Sequence, residues 1–200
     1  MQQLRDAFAR GDSSIVRQWV VSRCQQEDDN NNSWLHAAAD DAIHRGDTTA
    51  LKVILTHAAS ASSIIDPLTS SSILWRHLVH AAIGSPFVDT LSLVLLTFTP
   101  DLNTLMRDER GDLPIVHAVR LDRLDLVRLL MAHGADVTRR DLSGRTLLHH
   151  AASEDAHTVM PLLLMTALGE MRNLQDIDGH TAISIARTQR HDVILNLLGD

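Results

Sequence analysis

Apolar residues recur at every third or fourth position in a series of short stretches, and a polar or glycine-bearing break ends each one. That period is the helical one. Residues 3–22 read as a helix pair, with Leu4, Ala7 and Phe8 on one face, a break at Gly11-Asp12, and a continuation through residues 15–21. The acidic, Asn-rich stretch 25–32 reads as a solvated loop, after which Ser33 is placed to cap a helix whose apolar face is Leu35, Ala38, Ala39, Ala42 and Ile43. Gly46-Asp47 turns the chain into a helix over 50–57, and 58–72 is a second loop. A third pair follows, with Leu74, Leu78, Ala81 and Ala82 on its first helix, a Gly-Ser-Pro turn at 84–86 and a second helix over 88–98.

The fourth pair is the most regular. Pro114 suits a first helical turn, residues 115–121 form one helix and 124–133 the next, and Gly134 stops it. A fifth unit spans 141–173 with two extra residues near 166–172, and a sixth closes with a helix over 193–198. The tetrad Asp-x-x-Gly precedes the last three pairs at Asp108–Gly111, Asp141–Gly144 and Asp176–Gly179, its glycines 33 and then 35 residues apart. A fixed period of that length means stacked supersecondary units rather than one globular core.

The openings Gly111-Asp-Leu-Pro-Ile-Val-His-Ala-Val, Gly144-Arg-Thr-Leu-Leu-His-His-Ala-Ala and Gly179-His-Thr-Ala-Ile-Ser-Ile-Ala-Arg resemble the ankyrin repeat. Residues 126–138, with their Ala-His-Gly-Ala-Asp turn, resemble the rest of that unit, and the resemblance is closer over 108–200 than over 1–107. It implies an all-α solenoid of about six helix-turn-helix repeats joined by short β-hairpin loops. The expected repeats within one domain spanning 1–200 are 1–32, 33–65, 66–107, 108–140, 141–175 and 176–200. It also implies a binding surface made of a concave groove and hairpin tips, with His149 and His133 in structural slots.

Composition narrows the function. With 44% hydrophobic and only 3% aromatic residues, the core is built from small aliphatics. A formal charge of −7 and no basic cluster argue against nucleic acid. The single cysteine, Cys24, cannot pair internally, which points to a reducing, cytoplasmic setting. No secretory h-region opens the chain, and the longest apolar run, 91–98, is too short to span a bilayer. The expected protein is a monomer with a protein or peptide partner, no cofactor and no membrane attachment.

The twelve histidines are the compositional oddity. Helical geometry puts Ile115, Ala118 and Val119 on one arc and His117 away from it, so the inner helices present a ladder: Asp6, Asp41, His80, His117, His150 and Ile185. Histidine beside carboxylate suits acid–base chemistry. Asp41, His80, His117 and His150 are therefore the candidates for a small-molecule-binding or enzymatic reading. The interaction reading instead uses Trp34, Arg76, Arg110, Asp112, Arg120, Leu121, Arg145, Ser153 and Glu154. Arginine at the hairpin tips suits an acidic or carboxylate-bearing ligand, although seventeen of the eighteen basic residues are Arg anyway. No metal site is expected: His77 and His80 have suitable spacing but lie on different arcs of one helix. No phosphate loop, nucleophile elbow or paired-cysteine motif appears.

Overall fold

The computed structural model describes residues 6, 7, 10, 12–24, 33–60, 71–98, 102, 103 and 112–199. The predicted first Asp-x-x-Gly tetrad, Arg110 within it, and the side chain of Trp34 lie outside the described residues. Among those residues the chain is helical with no strand, and it divides into two compact units, residues 1–100 and 101–200.

In the first unit, α1 (Ser13–Cys24), α3 (Thr48–Ser60) and α5 (Val88–Phe98) pack in sequence, α1 on α3 and α3 on α5. The helices α2 (Ser33–Arg45) and α4 (Ser71–Gly84) lie against each other, and α2 packs on α3 as α4 does on α5. The second unit repeats the plan. Inner helices α6 (Pro114–Arg120), α8 (Leu147–Ser153) and α10 (Ala182–Gln189) stack in turn. Outer helices α7 (Leu124–Ala132) and α11 (Asp192–Leu198) back α6 and α10, and α9 (Met160–Leu164) packs on α8 and α11.

Four of the inner helices end in the same way. Asp47, Arg123, Ala156 and His191 donate their backbone N–H to the carbonyls of Ala42, Ala118, Ala151 and Ala186, at 2.9 to 3.1 Å. The residue before each donor is left-handed: Gly46 (φ 69°), Asp122 (φ 51°), Asp155 (φ 55°) and Arg190 (φ 62°). This is the Schellman closure, in which one left-handed residue satisfies the helix's last carbonyls and reverses the chain. The four alanines are wholly buried, as are Ala82 and Ala152. The third predicted repeat departs from the rule. There Ser85 bonds back to Ala82, and its buried hydroxyl donates to the carbonyl of Ile43 at 3.1 Å, tying α4 to the end of α2.

Helix starts follow from local chemistry. Thr181 and Ser184 form a reciprocal capping box on α10, and Pro114 opens α6 without wasting a donor. The two residues by which the fifth repeat exceeds its neighbour become a 3-10 turn, Ala167–Met171, after a five-residue α9. Gly169 is required there: a Cβ on it would come within 2.4 Å of the Leu164 carbonyl. The expected β-hairpins are present as tight loops, closed by Asp141 N to Arg145 O and Asp176 N to His180 O, each 2.9 Å.

Close approach of inner helices at alanine sets a prediction. Replacing Ala151 with Leu should overpack the core and cost about 1–3 kcal/mol by denaturant titration, with the helical circular dichroism signature retained.

Candidate functional site

The second unit holds its hairpins through the tetrad aspartates. Asp141 Oδ1 accepts the amides of Ser143 and Arg145, both at 2.8 Å, and Asp176 Oδ1 accepts those of Asp178 (3.0 Å) and His180 (2.8 Å). Gly144 and Gly179 supply the left-handed φ values of 71° and 80° that let the loops turn. The second oxygen is used differently in the two loops. Asp141 Oδ2 receives His150 Nε2 at 3.0 Å, whereas the sixth repeat has Ile185 in the His150 slot and Asp176 Oδ2 receives Arg145 Nε from the preceding loop at 3.2 Å. Burial works against the Asp176 charge, but the His180 and Asp178 amides and the Arg145 guanidinium outweigh it and hold the carboxyl below its ordinary range.

His149 is a brace, as its slot implied. It is 1% exposed. Its Nδ1 accepts the Thr146 amide at 3.1 Å and lies 2.8 Å from the Thr146 hydroxyl, while Nε2 donates to the His180 carbonyl of the next hairpin at 3.1 Å. One neutral tautomer caps its own helix and fastens the neighbouring loop. Burial lowers its pKa below 6.5, with the His180 carbonyl opposing. A second proton would also have to sit on Nδ1, facing an N–H donor.

Arg120 forms the other tie. Its Nη1 reaches Asp112 Oδ2 at 2.8 Å and its Nη2 reaches Glu154 Oε1 at 2.9 Å, so it joins its own loop to the end of the next inner helix. Burial opposes its charge, yet the two carboxylates raise its pKa above the ordinary value. The fields of Asp141, Asp112 and Arg120 all reach His150. Burial, the largest influence, pushes the His150 pKa below 6.5 against the pull of the two aspartates.

The predicted residues thus fall into groups. Asp112, Arg120, Glu154, His150 and Arg145 share linked networks in the second unit, joined by Asp141 and Asp176, which the ladder did not include. A carboxylate nine residues before the histidine was visible in the sequence, but only the loop's fold aims it at the ring. His150 and His80 are buried, where a groove-facing ladder called for accessible rings, and the His150 ring is met by Asp141 of its own repeat's loop. His80 and His117 are both engaged by neighbours. Asp41 and Arg76 belong to the first unit, where Asp41 lies 3.2 Å from Arg45 Nε. Leu121 is exposed and Ser153 half-buried. An open hollow of about 560 Å³ is lined by Leu164, Thr166, Gly169, Glu170, Arg172 and Asn173, none of them a predicted site residue.

At the loop tips, Leu142 and Ile177 occupy equivalent tetrad positions and are 89% and 72% exposed. The two loops are joined by Ile177 N donating to Ser143 O at 3.0 Å. The arginines around them are engaged by the loops: Arg140 donates to the carbonyls of Gly144 and Gln175, Arg139 to that of Asn103, and Arg145 to Asp176.

Helix pairs repeating at about 33 residues, closed by one turn and tied loop to loop, define a helical-repeat protein. The particular repeat follows from comparison with known proteins. Residues 115–164 match the family model for ankyrin repeats (many copies). Inversin from Gallus gallus is 34% identical over 120 residues, covering 60% of this chain and 10% of inversin. The B-cell lymphoma 3 protein homolog of Mus musculus is 26% identical over 159 residues, 74% of this chain and 34% of that protein. The Neurogenic locus Notch protein of Drosophila melanogaster is 35% identical over 92 residues, 46% of this chain and 3% of its own length. Residues 115–164 thus carry ankyrin repeats, and the chain spans about a third or less of each of these relatives.

Two outcomes check the brace. His149→Ala should lower stability by about 1–3 kcal/mol, since it strips a buried amide and a buried carbonyl of their partner. Because the pKa values of His149 and His150 are lowered on folding, the unfolded chain binds more protons below pH 6.5, and stability should fall as pH drops from there. A urea series across pH should show this slope, and His149→Ala should flatten it.

Proposed function

We propose that the chain is an intracellular protein-interaction module that engages a protein or peptide partner through its loop tips and the face of its inner helices. Ankyrin repeats generally mediate protein–protein interaction, which supports the class. The observation that carries the reading for this chain is the pair Leu142 and Ile177. Two large aliphatic side chains stand almost fully exposed at equivalent places on neighbouring loops, and the loops beneath them are rigidly bonded. Exposed apolar anchors on a rigid base are what a binding surface needs, since little ordering entropy is then lost. The polar network around Arg120 and His150 fits a supporting role: its charges neutralise one another within the fold. Among the described residues, no helix is long and apolar enough to cross a membrane.

The test is photo-crosslinking in cells of the chain's own source, with a reactive side chain at position 142 or 177 and a control at Val193, which is exposed on an outer helix. The module reading expects discrete protein adducts from 142 and 177 and none from 193. The double change Leu142→Ser, Ile177→Ser should abolish the complex while shifting the melting temperature little, because neither side chain is buried. A complex that survives the double change, as read by co-purification, with loss instead in His117→Ala or His150→Ala, would favour the acid–base groove.

A further inference from the structure

We propose that His36, Asp40 and His77 form a binding site for a divalent transition-metal ion of the zinc type. The three residues lie within the first unit, on the two adjacent helices α2 and α4. His36 and Asp40 are four residues apart on α2, the spacing that puts two ligands on one helical face. His77 comes across from α4: its Nε2 lies 2.9 Å from Asp40 Oδ2, and its ring centroid lies 6.3 Å from that of His36 at an interplanar angle of 37°.

Two imidazoles on one tetrahedral ion, with metal–nitrogen bonds of about 2.0–2.1 Å, have ring centroids about 5 Å apart. At 6.3 Å the two centroids are farther apart than that, so the His36 ring has to shift toward His77 and Asp40 to complete the site, and among the described residues no hydrogen bond holds it in place. Imidazole and carboxylate are a normal ligand set for zinc.

A second observation points the same way. Asp40 Oδ1 is shielded from solvent, and among the described residues no donor reaches it. A buried carboxylate oxygen without a partner costs free energy, and a cation between the carboxylate and the two rings would supply what is missing. His44, one turn further along α2, directs its Nδ1 to the Asp40 carbonyl at 2.7 Å and so leaves the Asp40 side chain clear. The nearby cation Arg45 is engaged by Asp41.

His77 and His80 diverge on α4, whereas His77 and Asp40 meet only once α2 and α4 are side by side. Among the described residues only Asp176, Asp178 and His180 have ligand atoms that already lie within 4.8 Å of one another, but both oxygens of Asp176 are taken by N–H donors.

The experiment is calorimetric titration of the chelator-treated full chain with Zn²⁺ at neutral pH, repeated with Co²⁺ while visible absorption is recorded. One ion per chain should bind. His36→Ala should weaken binding by about ten-fold or more, since it removes a direct ligand, and should leave the metal-free melting temperature unchanged. Asp40→Asn and His77→Ala should reduce affinity as well and remove the Co²⁺ ligand-field bands, and Asp178→Asn should change neither. Uptake should decline on acidification, as protons compete for the imidazoles. Absence of uptake, or uptake indifferent to His36→Ala, or uptake lost in Asp178→Asn, would overturn the assignment.

Discussion

The hydrogen bond from the residue after each left-handed turn back to a buried alanine carbonyl is the interaction on which the rest of this architecture depends. It is made at Ala42, Ala118, Ala151 and Ala186, and it closes the inner helix while pointing the chain at the outer one. A larger side chain at those positions would hold neighbouring inner helices apart. The Arg120 bridge, the His149 brace and the joined loops would then all lose their reach. Small residues are thus a requirement of spacing, and the scarcity of aromatics in the composition is its consequence. Three of the four left-handed positions are not glycine, so the repeat accepts local backbone strain to keep this closure.

The second half of the fold was open to reading because its signals are local. A tetrad that turns, a proline or threonine that starts a helix and an alanine pair that packs each act within a few residues, so their 33- and 35-residue recurrence marked α6, α7, α8, α10 and α11 closely. The closure in the third predicted repeat was less legible, since Ser85 fulfils it by reaching Ile43, 42 residues away. The candidate site was harder still. His149 and His150 are neighbours with similar burial, and the helical wheel placed them on different arcs of one helix. It could not show that His150 is buried with the Asp141 carboxylate folded back onto it rather than facing a groove, because that depends on the loop conformation and not on helical phase.

Many of the arginines of the second unit are engaged by partners within the fold. Arg120 spans two carboxylates, Arg145 takes a third, and the tip arginines Arg139 and Arg140 donate to carbonyls. Guanidinium groups suit this work, since they stay protonated and offer several donors in a fixed plane. An arginine-rich chain of net charge −7 is therefore no sign of an anion-binding protein. At the tips, exposed Leu142 and Ile177 stand beside exposed Asp178 and His180.

The polar ties in the second unit join residues separated by 31 to 39 positions: Arg145 to Asp176, Asn103 to Asp136, Asp122 to Thr158 and Val159, and His191 to the Ala152 carbonyl. None reaches beyond the next repeat. A chain fastened only to its nearest neighbours behaves as a one-dimensional array, in which order spreads from an established repeat to the adjoining one. Loss of the terminal pair α10 and α11 then need not take the whole unit with it. Such a molecule can shed and regain its last repeat while the others stay folded, so its response to heat, proteases or a partner can be graded along the chain.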